Sequence, residues 1–245
     1  MRQIAGRSVL VHVPPGYDAD RSEPYPLIVL HDGQNLAEWR DEARGGSWFA
    51  DRTIDRLVLA GRIPPAVLVG IDHAGDARVG EFTPTEGPQS GGGRAAQYAR
   101  WLIEELLPAL AGQVHVRIDF DGLTLGGSSL GGLVTLWTAS SWPGRFGRLL
   151  VMSPSVWWDG RVILRHLIEH PIDRTARIWL DAGRREGRVV GRDTRALRDL
   201  LLRQGHTLLQ FTDDPEGDHS EASWGRRFED ALAWLYDPMD QTKDG

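Results

Sequence analysis

A glycine-rich segment at residues 125–133, L-G-G-S-S-L-G-G-L, carries the strongest chemical signal in the sequence. Residues 127–131 match the pattern G-x-S-x-G, with an apolar run before it and a helix-forming run after it. A serine on a sharp strand-to-helix turn is raised clear of the sheet, and glycines two positions to either side avoid collisions with the strand and the helix. Ser129 is therefore the predicted nucleophile. The N–H of Leu130, at the helix start, would face a developing oxyanion.

Two other interpretations of this segment have to be compared with the nucleophile. A dinucleotide-binding loop needs G-x-G-x-x-G, and the glycines at 126, 127, 131 and 132 do not form that pattern. A plain tight turn with serine as the helix N-cap is compatible with the segment taken alone. Because a serine is inert without a base, the choice depends on the rest of the chain.

The predicted base is His219, in the segment P-E-G-D-H-S at residues 215–220. This segment follows the last apolar strand and precedes the last helix, which is the place of the histidine in the chain order serine, acid, histidine. Other histidines lie inside an early strand, before strands, or ahead of the serine in the chain: His12, His31, His73, His115 and His206.

The acid should follow the strand between the serine and the histidine. That strand, at residues 177–180, leads into D-A-G-R-R-E-G at residues 181–187, so Asp181 and Glu186 are both candidates. Asp181 would lie at the strand end, whereas Glu186 lies in the loop and could reach across to the ring of His219. Glu186 is the preferred acid. The other carboxylate would then pair with Arg184 or Arg185, or be solvated.

A second motif, H-L-I-E-H at residues 166–170, matches the inverted zinc-protease pattern H-x-x-E-H. Histidines four residues apart share a helix face, but Pro171 ends the helix at once and no convincing third ligand follows. These residues are interpreted as histidines at a helix C-terminus that interact with the helix dipole. The sequence thus predicts no metal site and no cofactor.

Short apolar runs that alternate with amphipathic stretches must position these side chains. The predicted strands are residues 9–13, 26–30, 66–71, 122–125, 148–152, 177–180 and 208–211, and the predicted helices are residues 47–60, 98–110, 130–140, 192–203 and 221–236. Such alternation predicts an α/β fold with a mostly parallel sheet and helices on both faces. Ligands then bind at the carboxyl ends of the strands. Residues 83–94 are predicted as a turn-rich loop, and residues 237–245 as a frayed tail of one domain spanning residues 1–245.

Composition excludes several classes of function. The 245 residues carry a net charge of −6 and a single lysine, Lys243, with no clustered basic run, which argues against nucleic-acid binding and a Walker A loop. There are no cysteines, so disulfides, thiolate metal sites and a cysteine nucleophile are excluded. No run of about 18 apolar residues could span a membrane, and no signal peptide is visible, so the expected location is the cytoplasm.

With Ser129, Glu186 and His219 placed, the sequence resembles the putative-esterase (esterase D/enterochelin esterase) family of α/β-hydrolases from about residue 9 to residue 236. The resemblance rests on six motifs in order: L-H-D-G-Q-N (30–35), R-V-G-E-F-T-P (78–84), G-S-S-L-G-G (127–132), S-P-S-V-W-W (153–158), D-A-G-R-R-E (181–186) and G-D-H-S (217–220) with Trp224. It implies an α/β-hydrolase fold without a large lid domain.

The resemblance also implies roles for further residues. Gln34 would supply the second oxyanion N–H beside that of Leu130, and Asp32 would line the substrate site. Trp157 and Trp158 would wall the acyl or alcohol pocket, with core packing as the alternative for one of them. Arg78 and Glu81 would form a structural ion pair beside the site.

The predicted function is a serine carboxylic ester hydrolase that acts on small soluble esters through an acyl-enzyme. An acyltransferase with the same triad, a non-catalytic binding protein on a hydrolase fold and a peptidase are the alternatives. The complete triad argues against the binding protein, and no separate specificity pocket supports the peptidase. The sequence identifies neither the natural ester nor the oligomeric state.

Overall fold

An eight-stranded sheet forms the centre of the computed structural model, which describes residues 1–37, 46–87 and 91–237. Its strands are β1 (Arg2–Ile4), β2 (Arg7–His12), β3 (Leu27–His31), β4 (Val67–Ile71), β7 (Leu123–Ser128), β8 (Arg148–Met152), β9 (Arg177–Gly183) and β10 (Leu209–Asp214). The spatial order is β1-β2-β4-β3-β7-β8-β9-β10. The strands β4 to β10 of this order are parallel, and β1 and β2 are antiparallel to their neighbours. A separate hairpin pairs β5 (Glu86–Gly87) with β6 (Gly91–Gly92).

Helices cover both faces of the sheet. They are α1 (Ala50–Leu59), α2 (Arg78–Phe82), α3 (Ala95–Trp101), α4 (Leu107–Ala111), α5 (Leu130–Ser141), α6 (Trp158–Glu169), α7 (Arg188–Arg203) and α8 (Glu221–Leu235), with a π-helical turn, Leu102–Leu106, between α3 and α4. In β3, Leu27 and Val29 face the core beneath α3 to α7, whereas Ile28 and Leu30 face the core beneath α1 and α8. Both faces are buried, which explains the near-continuous apolar runs of the central strands.

This arrangement is the α/β-hydrolase fold, and the predicted fold class is confirmed. Strand β8 spans the predicted residues, while β7 continues three residues beyond its predicted end because glycines allow close packing there. A Cβ atom added at Gly126 would lie 2.5 Å from the Cβ of Leu150 on β8. The loop predicted at residues 83–94 contains the β5–β6 hairpin. Apart from Asp237, the predicted frayed tail lies outside the described residues. Over the described part of the chain, no helix is long and apolar enough to cross a membrane.

Candidate active site

Ser129 lies on the turn between β7 and α5, in a backbone conformation that L-residues rarely adopt (φ 56°, ψ −120°). Its N–H donates to the carbonyl of Met152 at 3.0 Å, and its carbonyl accepts from the N–H of Ser155 at 3.0 Å. A Cβ atom at Gly127 would lie 3.1 Å from the backbone carbon of Gly131. Glycine on both sides of the serine therefore permits the sharp turn, and the end of β8 holds it in place.

Three side chains from three different loops meet at this turn. The Nε2 atom of His219 lies 2.9 Å from the Oγ of Ser129, and its Nδ1 atom lies 2.9 Å from the Oε2 of Glu186. The indole of Trp224 packs edge-on against the imidazole, with ring centroids 4.9 Å apart. These contacts give a continuous hydrogen-bonded line from a carboxylate through an imidazole to a hydroxyl.

Glu186 reaches this line from a 3₁₀ turn that directly follows β9. Its side chain has no exposed surface. The Oε1 atom accepts hydrogen bonds from the N–H of Gly183 at 2.8 Å and from the Oγ of Ser153 at 2.5 Å. The two bonds leave Oε2 for His219, so the orientation of the carboxylate is fixed from the side opposite to the imidazole.

Asp181, the other candidate acid, lies inside β9 and is fully buried. It accepts from the indole N–H of Trp179 at 2.9 Å and from the N–H of Ser153 at 3.2 Å, and it pairs with Arg227 at 3.1 Å. Burial raises its pKa, while the charge of Arg227 acts in the opposite direction. The expectation that the second carboxylate would pair with Arg184 or Arg185, or be solvated, is wrong, because the strand directs this side chain into the interior.

The resemblance assigns the oxyanion N–H groups to Leu130 and Gln34, and Gln34 lines the same pocket as Ser129. Leu130 is the first residue of α5, and a helix leaves its first N–H groups without an intrahelical partner. Gln34 belongs to the 3₁₀ turn Gly33–Asn35 that follows β3. A Cβ atom at Gly33 would lie 2.4 Å from the backbone carbon of Gly70 on β4, so only glycine lets this turn pack so closely on the sheet.

The ion pairs beside the site differ from the expected one. Asp32, in the left-handed conformation (φ 57°), accepts two hydrogen bonds from Arg78, each 2.7 Å long. Glu81 pairs instead with Arg7 through contacts of 2.7 and 2.9 Å. The predicted Arg78–Glu81 pair is therefore wrong. The short helix α2 directs the two side chains to different partners, and the partner of Arg78 is itself a predicted site residue.

A cavity of about 430 Å³ opens above Ser129 and His219. Asp32 and Gln34 line it, as does Glu221 at the start of α8, whose carboxylate accepts from the side chain of Asn35 at 2.9 Å. Arg78, His73 and Ser128 complete its polar lining, and among the residues that the structure describes Trp224 is the single hydrophobic one in the lining.

The structure does not bring the tryptophan pair to this cavity. Trp158 is buried, donates its indole N–H to the carbonyl of Thr85 at 3.2 Å, and lies so close to the hairpin that a Cβ atom at Gly87 would be 2.7 Å from its ring. Trp157 is 44% exposed and also lies outside the cavity lining. Trp158 therefore supports the hairpin from within the core, which is the alternative that was open for one of the two tryptophans.

The motif at residues 166–170 serves packing. The ring of His166 stacks on Trp137 with centroids 3.9 Å apart, and desolvation lowers its pKa to about 4, helped by the charge of His170. His166 and His170 lie at the C-terminal end of α6, where the sequence predicts them, and the lowered pKa of His166 disfavours a charge on that ring. Within the described ranges, no group of three His, Cys, Asp or Glu side chains is arranged to hold a metal ion.

The sequence analysis assigned no role to two residues near the site, Ser153 and Arg227. Ser153 follows the end of β8, and that position alone could have marked it as a site residue. Arg227 lies on the buried face of α8 between the apolar Trp224 and Phe228, with a side chain only 6% exposed. An arginine on an apolar helix face is a signal of a buried charge partner.

Comparison with known proteins finds a matching family model and several relatives. The model described as "Putative esterase" matches residues 5–235. The iron(III) enterobactin esterase of Dickeya dadantii is 30% identical over 247 residues, which cover 92% of this chain and 52% of that protein. The uncharacterized protein YbbA of Bacillus subtilis is 24% identical over 96% of this chain and 94% of its own length.

Solved structures show the same fold. The enterobactin esterase from Shigella flexneri, crystallised in the presence of enterobactin, has a TM-score of 0.77 and 27% identity, with 95% of this chain and 55% of that chain covered. The BES protein from Bacillus cereus has a TM-score of 0.74 and 22% identity, with 94% and 90% covered. The chain thus spans about half the length of these enterobactin esterases and nearly all of the two Bacillus proteins.

Proposed function

The chain belongs to the putative esterase family of carboxylic ester hydrolases, and on that premise we propose that it cleaves small polar esters through Ser129, His219 and Glu186. The observation that carries the proposal is the pair of 2.9 Å contacts that join carboxylate, imidazole and hydroxyl on the strained turn after β7. This order of carboxylate, imidazole and hydroxyl is the one that acyl transfer requires, which supports the proposal.

The first half of the reaction forms an acyl-enzyme. His219 takes the proton of the Ser129 hydroxyl on Nε2 as the oxygen attacks the ester carbonyl carbon. The imidazolium then gives this proton to the departing alcohol, and the tetrahedral intermediate collapses to the ester of Ser129. Glu186 accepts the Nδ1–H of the ring throughout, which selects the tautomer with a free Nε2 and stabilises the imidazolium.

The second half repeats these steps with water as the nucleophile and releases the acid. In both halves the backbone N–H groups of Gln34 and Leu130 donate to the negatively charged oxygen of the tetrahedral intermediate. Donors fixed by the turn after β3 and by the start of α5 need no reorganisation when the charge develops, which is the source of their effect on rate.

The cavity supports polar esters as substrates. Carboxylates, a guanidinium, amides and a histidine surround the nucleophile, and Trp224 is the one hydrophobic contact from the described part of the chain. A long alkyl chain would leave these polar groups without hydrogen-bond partners, which is costly. The enterobactin esterases among the relatives are named for a polar ester substrate, so siderophore esters are among the compounds to test.

Active-site labelling tests the proposal. The protein is treated with a fluorophosphonate, digested and analysed by mass spectrometry, and we expect the label on Ser129 and not on the adjacent Ser128. Ser129→Ala should not be labelled, whereas Ser140→Ala, which removes a buried hydroxyl on α5, should be labelled at the wild-type rate. Label on another residue of wild type, or none, would contradict the assignment.

Hydrolysis in the presence of an added alcohol then separates a hydrolase from an acyltransferase, since the latter would yield a new ester.

A further inference from the structure

Ser153 follows β8 and is fully buried, with φ at 42°. Its Oγ atom has three neighbours within hydrogen-bond distance. They are the indole Nε1 of Trp224 at 3.0 Å, the Nη2 of Arg227 at 2.9 Å and the Oε1 of Glu186 at 2.5 Å. The hydroxyl thus touches the proposed catalytic carboxylate on the side opposite to His219.

The direction of each of these hydrogen bonds follows from chemistry. An indole N–H and a guanidinium can only donate, and a hydroxyl has one proton and two acceptor sites. Trp224 and Arg227 therefore occupy both acceptor sites of Ser153. Its single proton has one direction left, toward Glu186, so the hydroxyl can serve that carboxylate only as a donor.

The donor and acceptor roles follow in the same way along the hydrogen bonds from Glu186 through His219 to Ser129. Oε1 of Glu186 accepts hydrogen bonds from Ser153 and from the N–H of Gly183, and Oε2 is the oxygen that faces His219. When the carboxylate is ionised, Oε2 can only accept, and the contact with His219 then places the proton on Nδ1. The Nε2 atom is left with its lone pair toward the hydroxyl of Ser129, the arrangement that proton abstraction needs.

We propose that Ser153 is a positioning residue, which fixes the orientation of Glu186 and, through it, the tautomer of His219. The inference rests on the proposed triad. Ser153 does not touch the reacting atoms and is not among the residues that line the cavity, so it acts through the carboxylate.

The donors to Ser153 are themselves held in place. Arg227 pairs with the buried Asp181 at 3.1 Å and with the partly buried Asp214 at 3.1 Å, so its guanidinium cannot turn away from the hydroxyl without breaking both ion pairs. Trp224 is buried and its ring packs on the imidazole of His219. Asp181, the carboxylate that does not reach His219, thereby has a place in this network as an anchor for Arg227.

Ser153→Ala tests the proposal, with hydrolysis of p-nitrophenyl butyrate as the assay. Loss of a hydrogen bond to a charged group should lower kcat about ten- to a hundredfold. KM should stay within about twofold, because no substrate contact is lost. Ser140→Ala is the matched control, since it removes a buried hydroxyl that bonds a helix carbonyl of Trp137 at 3.0 Å, and its kcat should stay within about twofold of wild type.

The decisive measurement repeats Ser153→Ala in a Glu186→Ala background. If Ser153 acts through the carboxylate, adding Ser153→Ala to Glu186→Ala changes kcat less than about threefold, because effects of residues that act as a unit are non-additive. A low-field proton NMR signal from Nδ1–H of His219 should shift or vanish in Ser153→Ala and persist in Ser140→Ala. The same full loss of kcat in both backgrounds would overturn the proposal.

Wild-type kcat in Ser153→Ala, together with a large loss in Glu186→Ala, would overturn the role of Ser153 and leave the triad standing. Wild-type kcat in Glu186→Ala would instead refute the proposed acid itself.

Discussion

The decrease in the free energy of unfolding at acidic pH should depend on His31, the buried histidine at the end of β3. Its ring lies against Phe82 and Tyr98, and its Nδ1 atom is 2.9 Å from the Tyr98 hydroxyl. A Cβ atom at Gly131 would lie 3.3 Å from the Cβ of His31, so the imidazole supports the turn of Ser129 from below. Desolvation lowers its pKa from 6.5 to about 4; the charge of Asp32 acts against this shift and that of Arg78 adds to it.

A lowered pKa in the folded protein means that the unfolded chain binds the proton first. The contribution of neutral His31 to stability is therefore fully present above pH 6.5 and is lost as the pH falls from 6.5 toward 4. With 1.36 kcal/mol for each pKa unit, the contribution of His31 to the free energy of unfolding should fall by about 2 kcal/mol between pH 7.5 and pH 5, and by about 3 kcal/mol by pH 4. No discount for solvent screening applies, since the ring is fully buried.

Urea unfolding of wild type and His31→Gln at pH 7.5, 6.5, 5.5 and 5 measures this contribution. At pH 7.5 the variant should be less stable by about 1–2 kcal/mol, because the aromatic packing is lost. The gap should then close by about 2 kcal/mol toward pH 5, since the variant no longer titrates there. Tyr98→Phe removes the hydrogen-bond partner and keeps the burial, so it should retain the pH dependence of wild type. Parallel curves for wild type and His31→Gln would refute the reasoning.

Three further predictions concern the site and the surface. Gly33→Ala should lower both stability and kcat, because the new Cβ would lie 2.4 Å from the backbone of β4 and would displace the turn that carries the proposed oxyanion donor; urea unfolding and ester hydrolysis measure the two effects. Glu186→Gln should lower kcat about 10²- to 10⁴-fold, whereas Asp181→Asn should lose far less activity, and the reverse ranking in steady-state assays would exchange their roles. Arg56→Ala should change the free energy of unfolding by less than about 0.5 kcal/mol, since its ion pair with Glu229 is exposed, and a larger change in urea unfolding would contradict this.

The sequence predicted the fold where local patterns are strong. The near-continuous apolar runs of β3, β4 and β8 indicate strands buried on both faces, and they are observed as such. Strand β1 has only three residues, two of them polar, so periodicity could not reveal it. The π-helical turn between α3 and α4 has no local signal either, because it interrupts an amphipathic pattern that suits one continuous helix.

At the site, the motif around Ser129 is local. The order serine, acid, histidine along an α/β-hydrolase chain then indicated Glu186 and His219. The contacts between side chains could not be predicted from the sequence in the same way. Arg78 and Glu81 have helical spacing, yet Arg78 pairs with Asp32, which is 46 residues away. Trp158 follows a strand end like a site residue, but its apolar ring fits equally well in the core.

The contacts within the network behind Glu186 could not be predicted, although Ser153 and Arg227 each carry a local signal. The network joins the end of β8 to the buried face of α8, and no pattern within either segment identifies the partner. Such contacts between distant segments depend on how the sheet and helices pack, which local propensity does not encode.

Hydrolysis of p-nitrophenyl acetate and butyrate by wild type and Ser129→Ala, side by side, tests the central claim most directly. The account predicts turnover by wild type and a loss of several orders of magnitude in Ser129→Ala, down to the background rate. Equal turnover by the two proteins would contradict it, because the ester would then be cleaved without the hydroxyl on which the whole proposed site converges.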